Sequence, residues 1–123
     1  MKRTPGLSCL TLLLLATLFT SPAQAGGDAA RGQTLYQGCM GCHSLDDNDV
    51  GPAHRGVVGR KAGTVDGYAY SKALKAADLT WTPEILDRWL TDPQKLVPGA
   101  KMYYSVPRPQ DRADLIAWLA SQK

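Results

Sequence analysis

Residues 39–43 read Cys-Met-Gly-Cys-His, and they are the most informative five positions of this 123-residue chain. Two thiols three positions apart, followed at once by an imidazole, form the pattern for attachment of a c-type haem. Cys39 and Cys42 would add across the two vinyl groups of the porphyrin, and His43 would supply a nitrogen ligand to the iron. The pattern predicts one haem c per chain, thioether-linked through both cysteines.

Paired cysteines also serve three other purposes. A dithiol redox site needs a βαβ context, and no strand pattern surrounds this pair. A zinc site needs four ligands, and the chain has no second Cys pair or His pair to complete them. A structural disulfide, or two buried thiols, is the third alternative. Haem attachment is preferred provided that the other segments agree with it.

The first 25 residues have the pattern of a secretory signal peptide. Met1-Lys2-Arg3 is basic, an apolar run of about ten residues follows over 10–19, and Ala23-Gln24-Ala25 is a small-x-small cleavage signal. The run is shorter than the roughly 20 residues of a transmembrane helix, so an uncleaved anchor is the weaker alternative. We expect Cys9 to be discarded with the leader, which leaves residues 26–123 as a single exported, periplasmic domain.

The charge of that domain excludes one class of partner. The chain has 14 Lys and Arg against 11 Asp and Glu; Lys2 and Arg3 leave with the leader, so 12 basic and 11 acidic residues remain, a net charge of +1. This balance argues against nucleic-acid binding. An interior of 98 residues is thin, and a covalently held apolar macrocycle would complete it.

Capping and spacing predict an all-α architecture with long loops. The predicted helices are 28–38 with Asp28 as cap, 71–78 with Ser71 as cap, a helix from Thr82-Pro83 to near Asp92-Pro93, and 110–121. Segments 44–64 and 96–109 contain glycine and proline and predict loops. The acidic run 46–49 lacks the remaining ligands of a calcium loop, so a solvated turn is preferred.

At this point the residues resemble class I cytochrome c, of the small soluble bacterial type related to the mitochondrial protein. The resemblance covers about 27–122 and implies four to five helices and long loops wrapped around one haem, with the terminal helices crossing. It rests on Gly27-Asp28, Gly32 and Tyr36 before the cysteine pair, Gly51-Pro52, Gly56-Val57-Val58-Gly59-Arg60, Gly67-Tyr68 with Tyr70, Leu79-Thr80-Trp81, Asp92-Pro93, Val97-Pro98-Gly99 with Lys101-Met102, and the run 112–119.

The resemblance implies a site. Met102 would be the second axial ligand, and a soft thioether favours ferrous iron. The carbonyl of Pro52 would accept the ring N–H of His43. Arg60, Tyr70 and Trp81 would hydrogen-bond a buried haem propionate. Gly32 and Tyr36 would meet Leu115 and Trp118 where the first and last helices cross, and the glycine would admit the indole.

Three positions depart from the family pattern. His54 stands where an apolar residue is usual beside the haem, and we expect a packed or partly exposed histidine rather than a second ligand. Trp89 replaces a tyrosine that commonly hydrogen-bonds the ligand methionine; indole can donate but cannot accept a hydrogen bond. Leu74 replaces an asparagine. We therefore expect the surroundings of Met102 to differ from those of the corresponding methionine in the family.

The predicted function is that of a monomeric one-electron carrier with no catalytic residue, because both axial positions are filled by the protein. It would pass electrons from a quinol-oxidising complex or a dehydrogenase to a terminal oxidase or a reductase in a respiratory chain. Two alternatives stay open: an open-site haem protein with peroxidase or gas-binding activity, and a haem subunit of a larger enzyme. Five lysines either steer an acidic partner or are scattered solvated charges: Lys61, Lys72, Lys75, Lys95 and Lys101.

Overall fold

The computed structural model describes residues 1–2 and 26–123, so the predicted signal peptide over 1–25 lies almost wholly outside the described residues. Over 26–123 the chain forms five helices: α1 (Ala29–Tyr36), α2 (Lys72–Ala76), α3 (Pro83–Thr91), α4 (Pro93–Leu96) and α5 (Pro109–Ser121). The described ranges contain no strand beyond one isolated antiparallel bridge between Lys61 and Thr80. The all-α prediction is confirmed. No helix in these ranges is both long enough and apolar enough to cross a membrane.

The predicted caps begin three of the helices. The Asp28 carboxylate accepts from the backbone N–H of Ala30 at 2.9 Å. The Ser71 hydroxyl accepts from Leu74 N–H at 3.0 Å, and the Thr82 hydroxyl accepts from Ile85 N–H at 3.3 Å. Each cap satisfies a donor that the first turn leaves without a partner.

The sequence pattern did not predict helix α4 as a separate element. Asp92 ends α3 in an extended conformation (φ −163°) and at the same time caps α4, with its side chain accepting from Lys95 N–H at 3.0 Å. Pro93 occupies the first turn of α4, where its missing N–H costs nothing, and its side chain is fully buried. The chain therefore turns sharply at Asp92 without losing helical hydrogen bonding.

Helices α1 and α5 cross in close contact at Gly32. A Cβ at this position would lie 2.6 Å from the carbonyl carbon of Asp114, nearer still to its oxygen, and 2.9 Å from Cβ of Trp118. The rings of Tyr36 and Trp118 pack with centroids 4.4 Å apart. The absence of a side chain at Gly32 thus makes room mainly for the backbone of α5 and for Cβ of Trp118, not for the indole ring as the sequence predicted.

A buried carboxylate fastens the same crossing. Asp114 is 1% exposed, and it accepts from Asp28 N–H at 2.7 Å and from the Gln110 amide at 2.8 Å. It also pairs with Arg31, which bridges to Asp111. Burial alone raises the pKa of Asp114, but the hydrogen bonds from Asp28, Gln110 and Arg31 outweigh it and lower the pKa below its ordinary value. The carboxylate is therefore charged and satisfied inside the interface.

Hydrogen bonds join distant parts of the long segment that connects α1 to α2. The Asn48 amide donates to the Asp66 carbonyl at 2.9 Å and its oxygen accepts from Ala53 N–H at 3.0 Å. The Tyr68 hydroxyl donates to the Val50 carbonyl at 2.7 Å. Asp46 is paired with Arg55 at 2.6 Å, and the described residues contain no group of three or more His, Cys, Asp or Glu side chains that would hold a metal ion.

Candidate haem site

The helices and loops enclose a largely apolar cavity of about 470 Å³. Close-packed protein interiors contain few voids larger than a water molecule, and an empty apolar space of this size would leave the core of a small domain without packing partners. The cavity is within the size range of small-molecule and cofactor pockets. All eight predicted site residues line it: Cys39, Cys42, His43, Pro52, Arg60, Tyr70, Trp81 and Met102.

The two cysteines follow α1 on a continuing helical turn. Cys39 N–H donates to the Tyr36 carbonyl at 2.8 Å, and His43 N–H donates to the Cys39 carbonyl at 2.9 Å. Cys39 is half-buried and Cys42 is exposed. Burial, followed by the neighbouring Cys42, raises the pKa of the Cys39 thiol. The reactive thiol of a dithiol redox site has a lowered pKa, so this shift does not favour the dithiol alternative.

His43 is oriented through its own ring. Its Nδ1 lies 2.8 Å from the Pro52 carbonyl oxygen; since a carbonyl can only accept, Nδ1 carries the proton and Nε2 offers a lone pair. Burial lowers the pKa of His43, against the opposing effects of the Pro52 hydrogen bond and Asp49. The neutral imidazole with a fixed tautomer is the form that binds a metal ion.

Gly51 is a positioning residue for which sequence reasoning gave no role. A Cβ at Gly51 would lie 2.6 Å from both ring nitrogens of His43 and nearer still to Cε1. The imidazole therefore lies directly against the backbone at this position. The Gly51-Pro52 pair was the available signal: Gly51 makes room for the ring, and the Pro52 carbonyl accepts the hydrogen bond from its N–H.

His54 packs directly on the ring of His43. The two rings are stacked with centroids 3.8 Å apart and planes 19° apart, and His54 Nδ1 lies 3.0 Å from the Tyr36 hydroxyl. Burial, then the proximity of His43 and Arg60, lowers the pKa of His54 to about 3. His54 is therefore a neutral, half-buried packing partner of His43.

The three residues predicted to hold a propionate all line the cavity. The Arg60 guanidinium donates to the carbonyls of Ala53 at 2.9 Å and Arg55 at 3.1 Å. The Tyr70 hydroxyl accepts from Val65 N–H at 3.1 Å, which leaves its own proton to donate elsewhere. Trp81 is buried.

Met102 is half-buried in the cavity wall, and Leu74 and Trp89, two positions that depart from the family pattern, line the same cavity. Leu74 and Trp89 are buried, and the Trp89 ring packs against Trp81 with centroids 5.2 Å apart. The exposed pair Tyr103 and Tyr104 follows Met102 and also lines the cavity. These aromatic and aliphatic side chains line the same cavity as Met102.

Comparison with known proteins agrees with this geometry. The family model described as Cytochrome c matches residues 29–123. Cytochrome c2 from Rhodomicrobium vannielii is 41% identical over 111 residues, covering 87% of this chain and 89% of that protein. Cytochrome c from Euglena viridis is 46% identical over 101 residues, covering 79% and 99%. Among solved structures, cytochrome cH from Methylobacterium extorquens superposes with a TM-score of 0.75 at 47% identity, covering 77% of this chain and 99% of that one.

A helical fold closed around an apolar cavity, with a Cys-x-x-Cys-His segment in the cavity wall, defines a covalent haem protein of the electron-transfer class. The chain belongs to the cytochrome c family, as a class I c-type cytochrome. Its cofactor is haem c, attached through Cys39 and Cys42. The resemblance drawn from the sequence is confirmed.

Proposed function

We propose that this chain is an exported one-electron carrier whose haem iron is ligated by His43 and Met102. The observation that supports it most directly is that both side chains line the same cavity, with the His43 tautomer already set by Pro52. The bound haem supplies the one-electron couple. The protein supplies two fixed ligands, excludes water with an apolar wall and keeps both ligands in place in either oxidation state. It needs no catalytic residue of its own.

Arg60, Tyr70 and Trp81 would hold a propionate in this proposal. Arg60 brings a charged donor that is half-buried, and burial lowers its pKa, so an anion beside it would relieve the cost of that burial. Tyr70 retains a hydroxyl proton to donate. A charge-assisted hydrogen bond from a guanidinium is stronger than a neutral one, which makes Arg60 the residue whose loss we expect to matter most.

Ligation by Met102 is tested spectroscopically. The ferric haem-loaded protein should show the near-infrared sulfur-to-iron charge-transfer band, and the ferrous protein should bind CO slowly. Met102→Ala should abolish the band and open the iron to CO. Met40→Ala is the matched control, because Met40 lies between the two cysteines and its side chain is exposed. A wild-type protein without the band, or one that binds CO rapidly, would instead support the open-site alternative.

Export and partners complete the proposal. We expect residues 1–25 to be removed and residues 26–123 to act in the periplasm as a monomer. N-terminal sequencing of the protein from a periplasmic fraction should then begin at Gly26. Comigration of the native protein with a larger enzyme during size-exclusion would contradict the free-carrier proposal.

The exposed face beside Met102 is the candidate site of electron exchange with a quinol-oxidising complex or dehydrogenase and with a terminal oxidase or reductase. Tyr103 and Tyr104 are exposed there. Of the five lysines considered, Lys101 lines the cavity and donates to the Ala69 carbonyl. Lys61 is paired with Asp78 at 2.9 Å, so its charge is partly neutralised and it contributes less to steering.

A further inference from the structure

The side chain of Gln94 spans the segment that carries Met102. Its amide nitrogen donates to the Ala100 carbonyl at 2.8 Å and to the Met102 carbonyl at 2.8 Å. Its amide oxygen accepts from Gly99 N–H at 3.2 Å. One side chain therefore bonds three backbone groups within four consecutive residues, and one of them belongs to the proposed ligand.

The orientation of this amide is fixed by its partners. Exchanging the oxygen and nitrogen would place an acceptor against two carbonyl oxygens and a donor against an N–H, so no favourable contact would survive. Glutamate cannot donate to the two carbonyls, and lysine cannot accept from Gly99. Leucine can do neither. The three contacts together require a primary amide at this distance from the backbone.

Gln94 stands on a rigid base. It is the second residue of α4, directly after the fully buried Pro93 and the capping residue Asp92. The segment that it bonds includes Gly99, whose φ of +91° suits glycine, and Ala100, which is 2% exposed. A fixed helix on one side and a sharply turned loop on the other are therefore joined through the Gln94 amide.

We propose that Gln94 is the positioning residue for the axial methionine, acting through the backbone of the 99–102 segment. The proposal rests on ligation of the iron by Met102. A thioether is a weak ligand and a poor hydrogen-bond acceptor, so contacts to its sulfur can do little to hold it. Bonds to the backbone on which it stands restrain it instead. Gln94 thus controls how readily the methionine leaves the iron.

The test measures ligand exchange in the haem-loaded protein. Imidazole added to the ferric protein can bind only after Met102 leaves, so its binding rate reports opening of the segment. We expect Gln94→Leu to speed imidazole binding by about tenfold or more, since tenfold corresponds to ~1.4 kcal/mol, the size of one net hydrogen bond. Gln94→Glu, similar in shape but unable to donate, should be at least as fast. A side chain that only fills space would tolerate Gln94→Glu.

Gln110→Leu is the matched control. Gln110 also makes a 2.8 Å amide hydrogen bond, but to Asp114 at the α1–α5 crossing. We expect Gln110→Leu to lower two denaturant midpoints equally: that of unfolding followed by far-UV circular dichroism, and that of the loss of the near-infrared band. Gln94→Leu should lower the midpoint for loss of the band more than the midpoint for unfolding. Equal acceleration of imidazole binding by the two variants would overturn the proposal.

Two further outcomes separate the possible failures. A wild-type protein that lacks the near-infrared band overturns ligation by Met102 and the role of Gln94 with it. A wild-type protein that has the band, with Gln94 variants that bind imidazole at the wild-type rate, overturns only the role of Gln94. If the variants do not fold, hydrogen exchange in the wild-type protein decides: the side-chain amide protons of Gln94 should be protected, and exchange at the solvent rate contradicts the proposal.

Discussion

Replacing Gly51 by alanine tests how His43, the proposed ligand, is held. The new Cβ would lie 2.6 Å from both ring nitrogens of His43, whereas ordinary contacts are 3.4–4 Å, so the ring or the loop must move by about 1 Å. Gly51 has no positive φ, so alanine meets no backbone strain there. The whole effect therefore comes from the clash with the imidazole.

Two consequences follow from that movement. Overpacking a close contact costs about 1–3 kcal/mol of the free energy of unfolding, which corresponds to a fall in Tm of roughly 4–8 °C for each kcal/mol in a domain of this size. Displacement also stretches the 2.8 Å hydrogen bond from His43 to Pro52. Because that bond makes the imidazole a better donor to the iron, losing it should favour the ferrous state. Only the part of the bond energy that differs between the ferric and ferrous states changes the potential, so a bond of about 0.5–1.5 kcal/mol sets an upper bound of about 20–65 mV on the rise.

The assay pairs thermal unfolding with potentiometry of the haem-loaded protein. Gly41→Ala is the matched control, because a Cβ at Gly41 meets nothing within 4 Å although the residue stands two positions before His43. We expect Gly41→Ala to leave both quantities near the wild-type values. If Gly51→Ala and Gly41→Ala gave the same Tm and the same potential, the reasoning that Gly51 positions His43 would be refuted.

Three other perturbations test the fold around the site. Gly32→Ala gains about 1 kcal/mol of helix propensity, but the clash of its Cβ with the Asp114 backbone should outweigh this gain and lower the urea midpoint of unfolding. Thr34→Ala, at an exposed position of the same helix, should not lower the midpoint, and a higher midpoint for Gly32→Ala would contradict the close crossing. The pKa of Asp114 is lowered in the folded state, so its carboxylate stabilises the fold fully above the ordinary carboxyl pKa of ~3.9. The extra free energy of unfolding of wild type over Asp114→Asn should therefore vanish as pH falls through the folded pKa, and a difference that stays constant with pH would contradict the lowered pKa. A double-mutant cycle of Tyr36→Phe and His54→Leu should give a coupling of about 0.5–1.5 kcal/mol in urea unfolding, and a coupling of zero would mean that their hydrogen bond contributes nothing.

The helices were predictable where the signal is local. Asp28, Ser71 and Thr82 each cap a helix within three residues of themselves, so the sequence alone reveals them. Helix α4 was not separable, because a four-residue helix has too few positions to show periodicity and shares Asp92 with the end of α3. Local capping chemistry can be read from the sequence, whereas a helix of barely one turn cannot.

The contacts within the site depend on tertiary structure and were harder to foresee. His54 was expected to pack beside the haem site, but its stacking on His43 requires the loop between them to fold back. Gln94 has the sequence character of an ordinary surface residue, since nothing nearby in the chain indicates that three backbone groups will surround its amide. A residue's type limits the bonds that it can make, and the fold decides which of them it makes.

The two proposed ligands are held by different means because their chemistry differs. Imidazole has a second nitrogen, so His43 is restrained through its own ring, by the Pro52 carbonyl and the close approach of Gly51. A thioether has no proton to donate and is only a weak acceptor, so Met102 is restrained mainly through its backbone carbonyl, to which the Gln94 amide donates. It follows that substitutions beside His43 should alter mainly the potential, by changing how strongly the nitrogen donates. Substitutions at Gln94 should alter mainly how often the sulfur leaves the iron.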